Sequence, residues 1–177
     1  MNETNEVIKA LKERRSIRKF KSELPAKADL ERIAEAGLFA ASAMGKQATK
    51  IIAVTDKTLR DKISAMNARV MGKDGFDPFY GAPAIFIVLA EKDWQNRVYD
   101  GSLVLGNLML ASHALGLGSI WIHRAKEEFE SEEGKAILKQ LGIEGEWEGI
   151  GHCAVGYADC EMPKAAPRKE NRVIWAE

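Results

Sequence analysis

The sequence predicts a single α+β domain. Four short apolar runs bounded by turn residues are interleaved with longer segments whose apolar positions recur at helical spacing. No internal repeat, low-complexity tract or long linker divides the chain. With 46% hydrophobic and 29% charged residues over 177 positions, it has the composition of one globular core.

Residues 4–13 place Val7, Ile8 and Leu11 at helical spacing with Thr4 as the cap, and the basic run Arg14-Arg15-Ser16-Ile17-Arg18 follows just past the helix end. After Pro25, Asp29 can cap a second helix in which Leu30, Ile33, Ala34, Gly37 and Leu38 keep the period up to Ala41. The loop 42–49 leads into a strand, Ile51 to Val54. A helix over about 57–68 follows and ends in a Gly-, Asp- and Pro-containing loop from Gly72 to Pro83. Ala84 to Ala90 is a continuous apolar run, which predicts a strand buried on both faces. Residues 99–116 are apolar almost all round and close on Gly116 and Gly118, the pattern of a central helix or of one shared with a partner subunit. Ser119 to His123 predicts a third strand and residues 131–141 an exposed helix. Gly149 to Ala158 predicts a fourth strand, with His152 and Cys153 on opposite faces. Beyond Pro163 and Pro167, Arg172-Val173-Ile174-Trp175 reads as a short strand, either an arm laid on another subunit or a member of its own sheet.

Charge and composition exclude several classes. The 26 basic and 26 acidic residues cancel, so no global field draws the chain to nucleic acid or to an anionic membrane, and any anion site is local. The apolar stretch from Leu103 to Leu117 is interrupted by Gly106-Asn107 and Ser112-His113 and is too short to span a bilayer. Two cysteines and the lack of a leader pattern lead us to expect a cytoplasmic protein.

The sharpest chemical feature is the run at 14–18. Three guanidiniums and a hydroxyl in a loop can surround a phosphate with charge-assisted bonds of about 1.5–3 kcal/mol each. The plainer alternative is a solvated basic turn balanced by Glu13 and Glu23. Arg168-Lys169 can close on the same phosphate, or remain a surface pair on a tail. Ser42-Ala43-Met44-Gly45-Lys46-Gln47 combines small residues with an amide, which suits close approach to a planar polar ring edge, although a flexible connection has the same composition. A nicotinamide-binding Rossmann module is excluded, because Gly149-Ile150-Gly151 opens a strand and Gly116-Leu117-Gly118 follows a helix. His123, His152, Cys153 and Cys160 lack metal-ligand spacing, and Cys153 reads as a buried small hydrophobe.

In their order and spacing, these segments resemble the FMN-dependent nitroreductases over almost the whole chain. The resemblance is carried by Arg-Arg-Ser-Ile-Arg near the start, Ala-Ala-Ser-Ala-Met-Gly-Lys-Gln after the second helix, Tyr80-Gly81-Ala82-Pro83, Gly101-Ser102, Gly116-Leu117-Gly118-Ser119, the segment Gly149 to Tyr157, and Pro167-Arg168-Lys169. It implies one FMN-binding domain over 1–177, with a mostly antiparallel central sheet flanked by helices, in an intertwined homodimer with exchanged C-terminal strands. FMN would sit at the dimer interface. Arg14, Arg15, Ser16 and Arg18 match the phosphate and ring-edge segment, and Ser42, Ala43, Gly45 and Gln47 the segment from the other subunit. Ile122, His123 and Arg124 match positions along the flavin, Arg168 and Lys169 the late basic pair, and Asn67 an asparagine near the pyrimidine edge.

The implied chemistry belongs to the cofactor, so no protein nucleophile is needed. Hydride would pass from NADH or NADPH to the flavin, and a nitroaromatic, quinone or similar flat acceptor would then be reduced in a ping-pong cycle. Arg18, with Lys46 as second candidate, would stabilise the reduced ring. Within residues 66–79, which read as a short lid or a plain loop, Phe76 and Phe79 with the adjoining Tyr80 could stack on the acceptor. The same scaffold also serves reductive dehalogenation and flavin breakdown, and a flavin carrier or sensor is a third reading. Two departures from the family are visible: Gly45-Lys46-Gln47-Ala48-Thr49 stands where Asn-x-Gln-Pro-Trp is common, and His123-Arg124 where an acidic residue and glycine are common.

Overall fold

The computed structural model describes residues 5–177. Thr4 lies outside that range, and the first helix, α1 (Glu6–Glu13), is capped by Asn5, whose side chain accepts hydrogen bonds from the Val7 and Ile8 amides. The second, α2 (Lys27–Leu38), starts two residues before Asp29, which therefore sits in the first turn beside the positive end of the helix and does not cap it. Its last helical residue is Leu38, short of the expected Ala41. A single 3-10 turn, Ala43–Gly45, precedes β1 (Thr49–Val54).

Helix α3 (Lys57–Met71) is capped by Asp56, which accepts from the Leu59 amide at 2.8 Å, and runs three residues past the expected end until Gly72 turns left-handed at φ 70°. It is followed by β2 (Ala84–Glu91), α4 (Arg97–Ala114) and β3 (Gly118–Ile122). Next come α5 (Ala125–Glu130), α6 (Glu132–Gln140) and β4 (Trp147–Gly156). The sequence reading missed α5 because six residues with only Ala125 and Phe129 apolar give too little period to register.

The sheet order is β1-β2-β4-β3, with every neighbouring pair antiparallel. Strand β2 is buried on both faces, as its unbroken apolar run predicts. Ile85, Ile87 and Leu89 face α3, α5 and α6; Phe86, Val88 and Ala90 face α2 and α4. A bulge at Ile150, opposite the step from Val88 to Leu89, turns Ile150 and Gly151 to the same α4 face and leaves Gly149 and His152 toward α5.

Residues 172–175 form no strand within this protomer, which corrects the alternative that placed them in the chain's own sheet. Ile174 and Trp175 are 90% and 82% exposed, and the outer edge of β3 is already engaged at Ser119 by a bridge to Ser16. Among the described residues, no helix is long and apolar enough to cross a membrane.

Glycine 149 lets α5 close onto the sheet: a Cβ there would stand 2.2 Å from the Ala125 carbonyl oxygen. Gly149→Ala is expected to destabilise the fold by about 1–3 kcal/mol through forced backbone movement, read as a lower urea midpoint at unchanged slope.

Candidate functional site

The basic segment is fixed by the residues between its charges. Ile17 is buried against Gly118, and its amide donates to the Ser119 carbonyl at 3.1 Å. Further on, the Lys21 amide donates to the Tyr157 carbonyl and the Asp159 amide to the Lys19 carbonyl, both at 2.9 Å. Residues 16–21 therefore clasp the ends of β3 and β4. Arg15 turns one guanidinium nitrogen onto the carbonyls of Lys12 and Arg14, at 2.6 and 2.7 Å, where α1 ends and its carbonyls lack partners.

A cleft of about 630 Å³ opens beside this segment, lined by Lys12, Arg14, Arg15, Ser16, Lys164 and Arg168 among others, with no carboxylate in its wall. Arg14 Nη1 and Arg15 Nε are buried there without a hydrogen-bond partner among the described residues. Leaving such donors unsatisfied is costly, and an anion with several acceptor oxygens would satisfy them. The residues present therefore fit a phosphate-bearing ligand. Arg18 is exposed and does not line the cleft, and Lys169 lines a neighbouring one with Arg168 and Arg172.

Beneath Arg14, on the α4 side of the sheet, Cys153 is fully buried; burial pushes its thiol up to about 12, and the nearby Arg14 charge only partly offsets this. It remains a neutral thiol and no nucleophile.

The loop after α2 is built for tight backbone geometry. Met44, Gly45 and Gln47 all have positive φ. Asp100, on α4, accepts from the Ala43 amide at 3.0 Å and from Trp94 Nε1 at 2.8 Å, while Ser42 Oγ accepts from the Gln47 amide at 3.2 Å. Ser42 and Gln47 line a small cavity of about 110 Å³ that shares no residue with the cationic cleft. One protomer does not unite the two segments in one pocket.

Strand β3 joins the cationic cleft to the turn at its far end, about 13 Å along the strand from Ser119 to His123. In that turn His123 is exposed and Arg124 half-buried in a left-handed conformation. Ile122 points into the core, so its side chain is a packing residue. Asn67 is also wholly buried: it donates to the His123 carbonyl at 2.8 Å and to Glu128, and accepts from Arg124 Nε at 2.9 Å. With its whole amide engaged it holds the turn and has no free group for a ring edge. Glu128 and His152, which complete this cluster, are not among the site residues the sequence suggests: Glu128 falls in a segment the sequence assigns to no element, and His152 reads as a strand residue without metal-ligand spacing.

The loop between α3 and β2 is pinned by Asp77, which receives hydrogen bonds from Arg60, Ser64 and the Phe79 and Gly81 amides. Phe76 is exposed and packs edge-on to the half-buried Tyr80 at 5.9 Å. Phe79 is corrected here: it is completely buried, packed against the His152 ring at 5.2 Å and the Arg60 guanidinium at 5.5 Å, and cannot stack on an acceptor.

The matches to known proteins agree with this architecture. The model of the nitroreductase family matches residues 11–157, and the chain belongs to that family. A relative in Methanothermobacter thermautotrophicus, provisionally named an NADH dehydrogenase/NAD(P)H nitroreductase, is 30% identical over 121 residues, which are 66% of this chain and 60% of that one. A relative of the same name in Archaeoglobus fulgidus is 31% identical over 78% of this chain and 77% of its own. The crystal structure of a nitroreductase with bound FMN from Bacteroides fragilis superposes with a TM-score of 0.87, at 28% identity, covering 98% of this chain and all of that one.

Burial raises the Asp77 carboxyl, but the hydrogen bonds from Arg60, Ser64 and Gly81, with the Arg60 charge, outweigh it and hold the group below the usual carboxylate range. Its stabilisation is therefore present above the unfolded value, near pH 4, and is lost as pH falls through the folded one. Asp77→Asn is expected to be less stable than the wild type at neutral pH and to converge on it in acid, measured by thermal unfolding across pH.

Proposed function

We propose that the chain is a subunit of a homodimeric, cytoplasmic FMN-dependent oxidoreductase that carries electrons from NADH or NADPH to small flat acceptors, such as nitroaromatics or quinones, in a ping-pong cycle. The observation that carries this reading is the carboxylate-free cleft in which Arg14, Arg15 and Ser16 meet Arg168, with buried guanidinium nitrogens left unpaired. The FMN named in the Bacteroides fragilis structure, and the donors named for the two archaeal relatives, supply the cofactor and the reductant.

When bound, FMN supplies the redox chemistry. The chain's own residues supply the rest. Arg14, Arg15 and Ser16, with Arg168 from the tail, would bind the phosphate, and Lys169 adds positive charge from the neighbouring cleft. The turn at His123 and Arg124 would border the ring, and Arg18 would provide positive charge near a reduced flavin. Ser42, Ala43, Gly45 and Gln47 serve the site of the partner subunit, which accounts for their distance from the cationic cleft within one protomer. Phe76 and Tyr80 remain to stack on a flat acceptor.

The dimer is supported by apolar side chains left in water by a single protomer, among them Leu11 on α1, Phe39 after α2, Tyr99 and Leu103 on α4, and Ile174 and Trp175 in the tail. On the outward face of α4, the apolar Val98, Tyr99 and Leu103 stay exposed among the described residues.

Purified protein incubated with FMN should show flavin absorption bands that bleach anaerobically on addition of NADH or NADPH and return with a nitroaromatic or quinone. A carrier would give at most one turnover per flavin, and failure to bind FMN overturns the reading. Arg14→Ala should weaken FMN binding by about tenfold or more, the loss of one charge-assisted bond, measured by flavin fluorescence quenching. Arg18→Ala should retain FMN with a lowered reduction potential; an unchanged potential removes that residue's role.

A further inference from the structure

Arg124 holds φ at 80° at the entry to α5, a conformation unfavourable for any residue with a Cβ and maintained only where the surroundings impose it. Here the surroundings are an unbroken chain of polar side chains from three elements. Arg124 Nε donates to Asn67 Oδ1 at 2.9 Å. The two Nδ2 hydrogens of Asn67 go to the His123 carbonyl at 2.8 Å and to Glu128 Oε1, so its amide has one orientation only. Glu128 Oε2 lies 3.0 Å from His152 Nε2, and His152 Nδ1 lies 3.3 Å from the Ile122 carbonyl oxygen.

Asn67 and His152 are wholly buried and Glu128 nearly so. Glu128 Oε2 and His152 Nε2 stand in close contact, and neither has a hydrogen-bond partner among the described residues, so the two groups face only one another. Apolar side chains could fill the same volume without the desolvation cost, so packing alone does not call for this network. Its outlets all fall within one turn: the carbonyls of Ile122 and His123, and the side chain of Arg124.

Resting on the flavin reading above, we propose that Glu128 and His152, acting through Asn67, are positioning residues that hold the Ile122–Arg124 turn, with Arg124 in its left-handed conformation, in the geometry that meets the cofactor. None of the three needs to touch the ligand. Glycine would take this φ unaided; the network is what allows an arginine to stand there.

The test uses Glu128→Leu, Glu128→Gln, Arg124→Gly and the Glu128→Leu/Arg124→Gly double variant. Amide hydrogen exchange over 123–126 is followed in the FMN-free protein, and FMN affinity and the visible circular dichroism of bound flavin in the loaded protein. Glu128→Leu should accelerate exchange in that segment, weaken FMN by about tenfold and alter the flavin dichroism. Glu128→Gln should restore all three, because its oxygen can accept from Asn67 while its amide donates to His152 Nε2. In the Arg124→Gly background, Glu128→Leu should have much less effect, since the turn no longer needs holding. His152→Leu reads the same link from the strand should Glu128→Leu not fold. A wild type that binds no FMN overturns the functional reading and this inference with it. A wild type that binds FMN, with Glu128→Leu silent or equally damaging in both backgrounds, overturns the positioning role alone.

Discussion

Close packing around β4 governs everything else in this molecule. The strand pairs on both edges and is covered on both faces, and the approach of its neighbours is set by missing side chains. A Cβ at Gly101 would meet Ile150 at 2.6 Å, one at Gly151 would meet Trp121 at 2.5 Å, and one at Gly156 would meet Pro83 at 2.8 Å. Protein interiors are as dense as organic crystals, so these approaches cannot be loosened piecemeal. Helix α4, strand β3, the α5 entry and the clasp at 16–21 are each keyed to this strand, and they carry or border the candidate site.

The two ends of β3 handle charge in opposite ways. At its start, guanidinium groups stand together without carboxylates, and part of their hydrogen-bonding capacity is unused. At its end, a carboxylate is buried with an imidazole and an amide in a network whose outlets are all spent on one turn. The first arrangement is poised to take an anion; the second is closed on itself and rigid. A chain with no net charge thus concentrates a positive field at one place, which composition alone cannot express.

The bulge at Ile150 connects these features. By placing Ile150 and Gly151 on one face, it sends Ile150 against Gly101 of α4 and leaves His152 facing Phe79 and Glu128. Were Ile150 taken into the ladder as a regular residue with no bulge, the side chains N-terminal to it would swap faces relative to His152. The same strand then could not close against Ala125 through Gly149 while presenting an imidazole to Glu128.

The sequence by itself determined what local periodicity and charge density can encode. The unbroken run from Ala84 to Ala90, the long apolar helix near 99–116 and the opposite faces of His152 and Cys153 follow from residue spacing, and the densest cationic loop stood out at 14–18. Tertiary structure decided the rest. Phe79, an aromatic in a polar loop, gave no sign that Arg60 and His152 would enclose it. The terminal apolar run had strand composition but pairs with no strand inside one protomer. Asn67, Glu128 and His152 lie on α3, α5 and β4, and the hydrogen bonds that join Asn67 to Glu128 and Arg124 span 61 and 57 residues. A polar side chain leaves no periodic trace of a partner so distant. Its role exists only once the sheet and helices have brought the donors and acceptors together in a space from which water is excluded.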